Sequence, residues 1–204
     1  MSLLYKSKYG GAEHRRLRII PNESIEWAMG TGVNPPSICD VLYPWPGGYD
    51  DEPPEYSTEA YLEDRYNFIE NMVESDQGAL SQIAPAQSKE GLNWAISGEI
   101  PLMIAVQMFD ENYSRRLIDL FLQHGAGGNN LLVEDSKYRD TVLHKVVDSV
   151  RVNKILDVIK TDAGFNNTLF NKRNKLGETA YDSAKYFQSI YGISEANLEA
   201  IRPS

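Results

Sequence analysis

The chain has 204 residues, of which 42% are apolar and 24% charged, with a formal net charge of −9. That is enough chain to bury a core and an ordinary globular composition, while no apolar run reaches the roughly 20 residues that span a bilayer. One cysteine, Cys39, excludes an intrachain disulfide, and with only three histidines beside it the chain has little material for a four-ligand structural zinc site.

Charge is unevenly placed along the sequence. Residues 1–20 carry +4, residues 21–90 carry −12 and residues 91–204 carry −1. Met1 to Tyr9 has lysines but no apolar stretch of the kind a secretory signal uses. With a lone cysteine, this predicts a cytoplasmic, reducing compartment. The basic tract Lys6 to Arg18 reads as a solvated segment, and the acidic middle repels phosphate backbones, so no nucleic acid is expected as a partner.

Asn22 to Met29 fits a short helix capped by Asn22. Asn34-Pro35-Pro36 and the stretch Tyr43 to Pro54 are rich in proline, glycine and acid and read as loop. Glu59 to Ser75 predicts a helix, because Leu62, Tyr66, Ile69 and Val73 form one stripe and Ser57 or Thr58 stands ready as its cap. Its end, Phe68 to Ser75, is similar to a segment further on, so residues 59–97 could hold a divergent repeat. Gln82 to Ile96 reads either as loop or as one more helix carrying Trp94.

From Gly98 onward three windows align. Gly98-Glu99-Ile100-Pro101-Leu102-Met103-Ile104-Ala105 is the first. Arg139-Asp140-Thr141-Val142-Leu143-His144-Lys145-Val146 is the second, and Gly177-Glu178-Thr179-Ala180-Tyr181-Asp182-Ser183-Ala184 the third. Each position has a physical reason. Glycine allows the turn into a helix, threonine caps the helix, and proline at its first position gives up a donor that had no partner. Behind the first window, Leu117 to Ala126 places apolar residues on one helical face and ends on Gly125, where a left-handed residue is wanted. Behind the second, Ile155 to Lys160 leads to Ala163-Gly164.

These windows and exits resemble the ankyrin repeat, with its Gly-x-Thr-Pro-Leu-His-x-Ala signature and second helix ending in Gly-Ala. The match spans about 100 residues. Ile100 departs from the capping threonine, Arg139 from the turn glycine, and Ala180, Tyr181 and Asp182 from Pro-Leu-His. The equivalent positions 105, 146 and 184 give periods of 41 and 38, longer than the family's about 33. The excess is expected in loops: Asp110 to Tyr113, Gly127 to Tyr138, and Phe165 to Lys175. The resemblance implies an all-α fold: a short solenoid of helix-turn-helix units at approximately 98–138, 139–176 and 177–204. Residues 1–97 form an irregular, partly helical extension that caps it.

Catalytic constellations are thin. Cys39 with a histidine base would be the enzymatic reading, but Cys39 sits between apolar neighbours. His144 falls on the family's histidine, which bonds turn backbone, and His124 precedes the Gly-Ala exit, leaving His14 unexplained. Asp50-Asp51-Glu52 lacks the pattern of a calcium loop, and no phosphate-binding glycine motif is present. Tyr43-Pro44-Trp45-Pro46 reads as cover for an open end of the stack in preference to a docking segment.

The expectation is therefore a monomeric protein-protein interaction module, not an enzyme, with no cofactor and no metal. Its style also looks like that of effectors delivered by bacteria into a host cytoplasm. The family's usual contact positions transfer to Glu99, Gln107 and Met108 in the first unit. They transfer to Lys137, Tyr138, Asp140, Asp148 and Ser149 in the second, and to Lys175, Leu176, Glu178, Tyr186 and Phe187 in the third. Two rivals stand beside this: the N-terminal targeting region of a larger enzyme, or an uncharacterised catalytic domain in residues 1–97 scaffolded by the repeats.

Overall fold

The computed structural model describes residues 38, 42, 59–75, 80, 82–87, 100–108, 110–148 and 152–204. The expected helix at Asn22, the Tyr43–Pro46 segment, Trp94, Cys39, His14 and the caps Ser57 and Thr58 lie outside them, as do Glu99 and Ser149. Two compact units divide the chain, residues 1–69 and 70–204. Among the described residues every regular element is a helix. The nearest thing to a strand is an isolated antiparallel bridge between Arg173 and Thr179. No helix among them is long and apolar enough to cross a membrane.

Helix α1, Glu59–Ser75, has the predicted bounds and runs across the division between the units. Ile69 and Val73 are buried as the stripe requires, while Leu62 and Tyr66 are half-buried. Arg65 is buried as well, at 2% exposure, which the stripe alone does not anticipate. In the first unit Ile38 and Leu42 are helical and fully buried.

The second unit is built from paired helices. Helix α2, Pro101–Ala105, begins with proline at its first turn and has no side-chain cap at Ile100; all five residues are buried. Helix α3, Glu111–Phe121, is capped by Asp110, whose carboxylate accepts from the Tyr113 N–H at 2.8 Å. Asp110 to Tyr113 is thus not inserted loop: it is the cap and first turn of the second helix, because an Asx cap followed by Glu111 favours helix nucleation there. Leu117, Ile118 and Phe121 are fully buried, each worth about 1.5–3 kcal/mol of apolar transfer. The helix closes in a wide turn, Leu122–Ala126, with Gly125 at φ 97°. Only glycine takes that conformation without steric cost.

Helix α4, Val142–Val147, and α5, Val152–Ile159, form the next pair, with buried Leu143, Val146, Leu156 and Ile159 between them. The long connection that follows holds a helical turn of its own, α6, Asn167–Phe170, capped by Asn166. The last pair is α7, Ala180–Tyr191, which ends on Gly192 at φ 64°, and α8, Glu195–Ala200, capped by Ser194.

Three kinds of contact line these pairs up. The first helices pack in sequence, α2 on α4 and α4 on α7, and α3 packs on α5. Asn153 on α5 joins the last pair, donating to the Gly192 carbonyl (2.9 Å) and accepting from Ser194 N–H (3.0 Å) and Asn197 Nδ2 (2.9 Å). Lys154 on α5 reaches Glu111 on α3 at 2.6 Å. The exits after the second helices also abut. Asp162 accepts at 2.7 Å from both the Gly128 and Gly164 N–H groups. A Cβ on Gly164 would stand 2.2 Å from the Gly128 carbonyl, so the close approach depends on glycine. Ahead of the first pair, the 3-10 turn Pro85–Gln87 bonds to Asn130 through the Ala86 N–H (2.6 Å), so this part of the 82–96 stretch is one tight turn.

Candidate functional site

Two turns, one before α4 and one before α7, lie side by side. The first runs from Glu134 to Thr141 and the second from Arg173 to Thr179. Tyr138 and Lys175 join them, the Lys175 N–H donating to the Tyr138 carbonyl at 2.8 Å. Each turn is organised by an Asx side chain, as short polar side chains do when they bond backbone a few residues on. Asp135 accepts from the Tyr138 N–H at 2.6 Å; Asn174 accepts from Leu176 and Glu178 N–H at 3.0 and 3.1 Å. Each turn also needs a left-handed residue. Gly177 supplies it at φ 76°, and in the other turn Arg139 takes φ 54°, a strained choice for a residue with a Cβ.

The helix entries repeat the same logic with different side chains. Thr179 and Asp182 form a capping box: the Thr179 N–H donates to Asp182 at 2.9 Å, and the Asp182 N–H donates back to the Thr179 hydroxyl at 3.2 Å. Those backbone and hydroxyl donors hold the Asp182 carboxyl below its ordinary value, with lesser help from Arg173 and Lys185, against some burial. At the earlier entry His144 replaces the acid. Its Nδ1 accepts from the Thr141 N–H at 3.2 Å, so the ring proton belongs on Nε2, which donates to the Glu178 carbonyl at 3.1 Å. One imidazole therefore ties its own helix start to the next turn.

Beneath the turns lies a buried charged cluster. Lys145 Nζ sits 2.9 Å from both Asp135 and Asp140, and Asn174 donates to the other oxygen of Asp140 at 3.1 Å. Burial pushes the Lys145 ammonium down, but the two carboxylates outweigh it, and the net shift is upward. At the edge, Glu134 takes Arg139 at 2.7 Å and Lys172 at 3.0 Å. Burial raises its carboxyl, and these two cations more than reverse that.

The proposed contact residues divide accordingly. Lys137, Lys175 and Leu176 are exposed on the turn tips, Leu176 at 59%. Tyr186 is 68% exposed on α7, one helical turn from Ile190 at 60%. Gln107, Met108, Tyr138, Asp148 and Glu178 are half-buried. Asp148 ends α4 and faces Tyr191, whose hydroxyl is raised by burial and then by that negative charge. Two expected contacts need correction. Asp140 is buried where it pairs with Lys145, and Phe187 is buried at 5% exposure, its ring 5.0 Å from that of Tyr186 and 5.2 Å from that of Tyr191. Neither side chain faces solvent. The cluster around Lys145 and the Asp162–glycine joint are the features the sequence reading missed. Asp135 and Asn174, Asx residues opening two turns, were the available signal for the first.

Among the described residues no group of three or more His, Cys, Asp or Glu is placed to hold a metal ion. Compared with family models, curated proteins and solved structures, the chain matches no family model, no curated protein and no solved structure.

Proposed function

We propose that residues 98–204 are a short ankyrin-like stack that binds another protein through its turns and first helices. The observation that carries this reading is the joint between the turns. His144 on one first helix donates to the backbone of the next turn, and that turn's Lys175 N–H donates to the turn before it. Such bonds between successive units, together with first helices packing on first helices, are what a repeat stack needs, since each unit leaves an apolar face for its neighbour. The left-handed residue recurs before two helices, at Arg139 and Gly177, and the exits abut through Asp162 and its glycines. Turns fixed this firmly present a preformed surface, which lowers the ordering cost of binding.

The mechanism is recognition without a covalent step, by a monomer and with no cofactor. The lone cysteine favours a cytoplasmic setting. In keeping with the Asn-rich connection at 165–175, that setting is a host cytoplasm if the chain is a delivered effector. The rival in which this region steers a larger enzyme uses the same surface. Tagged wild-type protein and a Lys137→Glu/Asp148→Lys variant, used for affinity capture from host and own-cell lysates, test the proposal. The expected result is a specific protein captured by the wild type, lost in the variant, with melting temperature nearly unchanged. Equal capture by both, or collapse of the variant's fold, counts against this surface.

A further inference from the structure

The two turns differ in charge from the chain that carries them. With Lys145 beneath them and Lys172 at their edge, Lys137, Arg139, Lys145, Lys172, Arg173 and Lys175 stand there against Glu134, Asp135, Asp140 and Glu178, in a protein of net −9. Three of those anions already have cations: Glu134 takes Arg139 and Lys172, and Asp135 and Asp140 share Lys145. Arg173 is 3.6 Å from Asp182 and donates to the Gly177 carbonyl of its own turn. That leaves Lys137 and Lys175, both exposed. The partners the described residues give them are neutral: the face of the Tyr138 ring, 5.1 Å from the Lys137 ammonium, and for Lys175 the Ser136 (2.9 Å) and Lys137 carbonyls. Since Lys175 reaches the backbone of Lys137, the two tips lie within one side chain of each other. Leu176, next in the chain, is 59% exposed.

We infer that this surface takes an acidic peptide segment carrying an exposed apolar side chain, with carboxylates on Lys137 and Lys175 and the apolar residue against Leu176. The inference rests on the protein-binding reading above and names the chemistry of its partner. Ammonium groups held only by ring and carbonyl dipoles keep most of their field for an incoming anion, and complementary charge sets partner choice and encounter rate. Leucine at such exposure beside them adds an apolar contact that a purely electrostatic site would lack. Phosphates also suit lysine, but the exposed Leu176 beside the two ammonium groups offers an apolar contact that a phosphate backbone does not use, so a peptide is the better complement.

The full chain is titrated by fluorescence anisotropy against a labelled peptide of glutamates around a central leucine. Its controls are the same peptide with central alanine, a lysine counterpart and a labelled oligothymidylate. Saturable binding of the glutamate–leucine peptide is expected, weakening with added salt. Lys137→Glu/Lys175→Glu should weaken it about tenfold or more. Leu176→Ala should reduce it to the level of the alanine peptide. Lys137→Gln keeps the test open if the double reversal unfolds, and it should weaken binding by a smaller factor with no loss of helix. Equal binding of the lysine peptide, tighter binding of oligothymidylate, or no binding of the acidic peptide overturns the inference. If the acidic peptide fails while Lys137→Glu/Asp148→Lys still loses a captured protein, the protein-binding reading stands and this one falls; if both fail, both fall.

Discussion

Replacing Lys145 with methionine keeps the aliphatic stem and removes the charge that holds Asp135 and Asp140 together. Those carboxylates are 7% and 5% exposed, and each lies 2.9 Å from the same nitrogen, so they stand no more than about 6 Å apart. At an effective dielectric of about 20 their repulsion is roughly 3 kcal/mol, and removing one partner from a buried ionic cluster costs about 3–5 kcal/mol. We therefore expect Lys145→Met to lose about 3–5 kcal/mol, read from urea unfolding followed by far-UV circular dichroism at neutral pH. That is a large share of the roughly 5–15 kcal/mol of an ordinary domain. Adding Asp135→Asn and Asp140→Asn should recover most of the loss, since the neutral trio keeps its hydrogen-bond acceptors. In the wild type the sign runs the other way from an acid group. The Lys145 ammonium is shifted upward, so its contribution is complete below the ordinary lysine value of 10.5 and is lost only as pH rises through the higher folded value. Stability at this site should be flat from neutral pH up to about 10.5 and fall above it. A loss under about 1 kcal/mol for Lys145→Met, or a triple variant no better than the single, would refute the electrostatic reasoning.

Gly164→Ala should destabilise by about 1–3 kcal/mol, because its Cβ meets the Gly128 carbonyl, a backbone atom that cannot swing away; a neutral result in thermal unfolding would mean the exits do not abut. Asp182→Ala should cost about 0.5 kcal/mol at neutral pH, a value kept small because the carboxylate is half exposed. Its carboxyl is depressed, so the wild-type advantage is present above the ordinary aspartate value of 3.8 and fades as pH falls through the lower folded one. Unfolding curves of both proteins down an acid series check this. The turn residues should respond unequally. Gly177→Ala, at φ 76° with no neighbour to clash, costs about 1 kcal/mol from conformation alone. Arg139→Gly relieves a comparable strain while losing a surface pair to Glu134, and should fall within about 1 kcal/mol of zero. A cost for Arg139→Gly well above about 1 kcal/mol, in thermal unfolding, would remove the case that Arg139 fills the left-handed position of its turn as Gly177 does.

What the sequence disclosed was local. Helix α1 has its bounds written in the spacing of Leu62, Tyr66, Ile69 and Val73, because a helix with one apolar face repeats on its own period. Gly125 and Thr179 stand at positions where a left-handed residue and a cap are needed, and they take those roles. Loop lengths were less legible. Asp110 looked like the start of an insertion and is a cap, since the same residue serves both and only tertiary packing decides which. Contacts distant in sequence were not legible at all. Asp140 resembled a solvent-facing turn residue, yet its partner Asn174 lies 34 residues on and Lys145 turns inward beneath it. Phe187 likewise reads as available on its helix, yet it is buried at 5% exposure. Leu176 and Lys175 are exposed, as residues at a turn tip have little to pack against.

The central claim, a stack that meets a protein partner with its turns, is tested most directly by site-specific photo-crosslinking in cell lysate. A benzoylphenylalanine would be placed at Leu176 on the turn tip, and separately at Asp157 on the exposed side of α5. The account predicts a discrete crosslinked protein from position 176 and none from position 157. The same product from both positions, or a product only from 157, would contradict it.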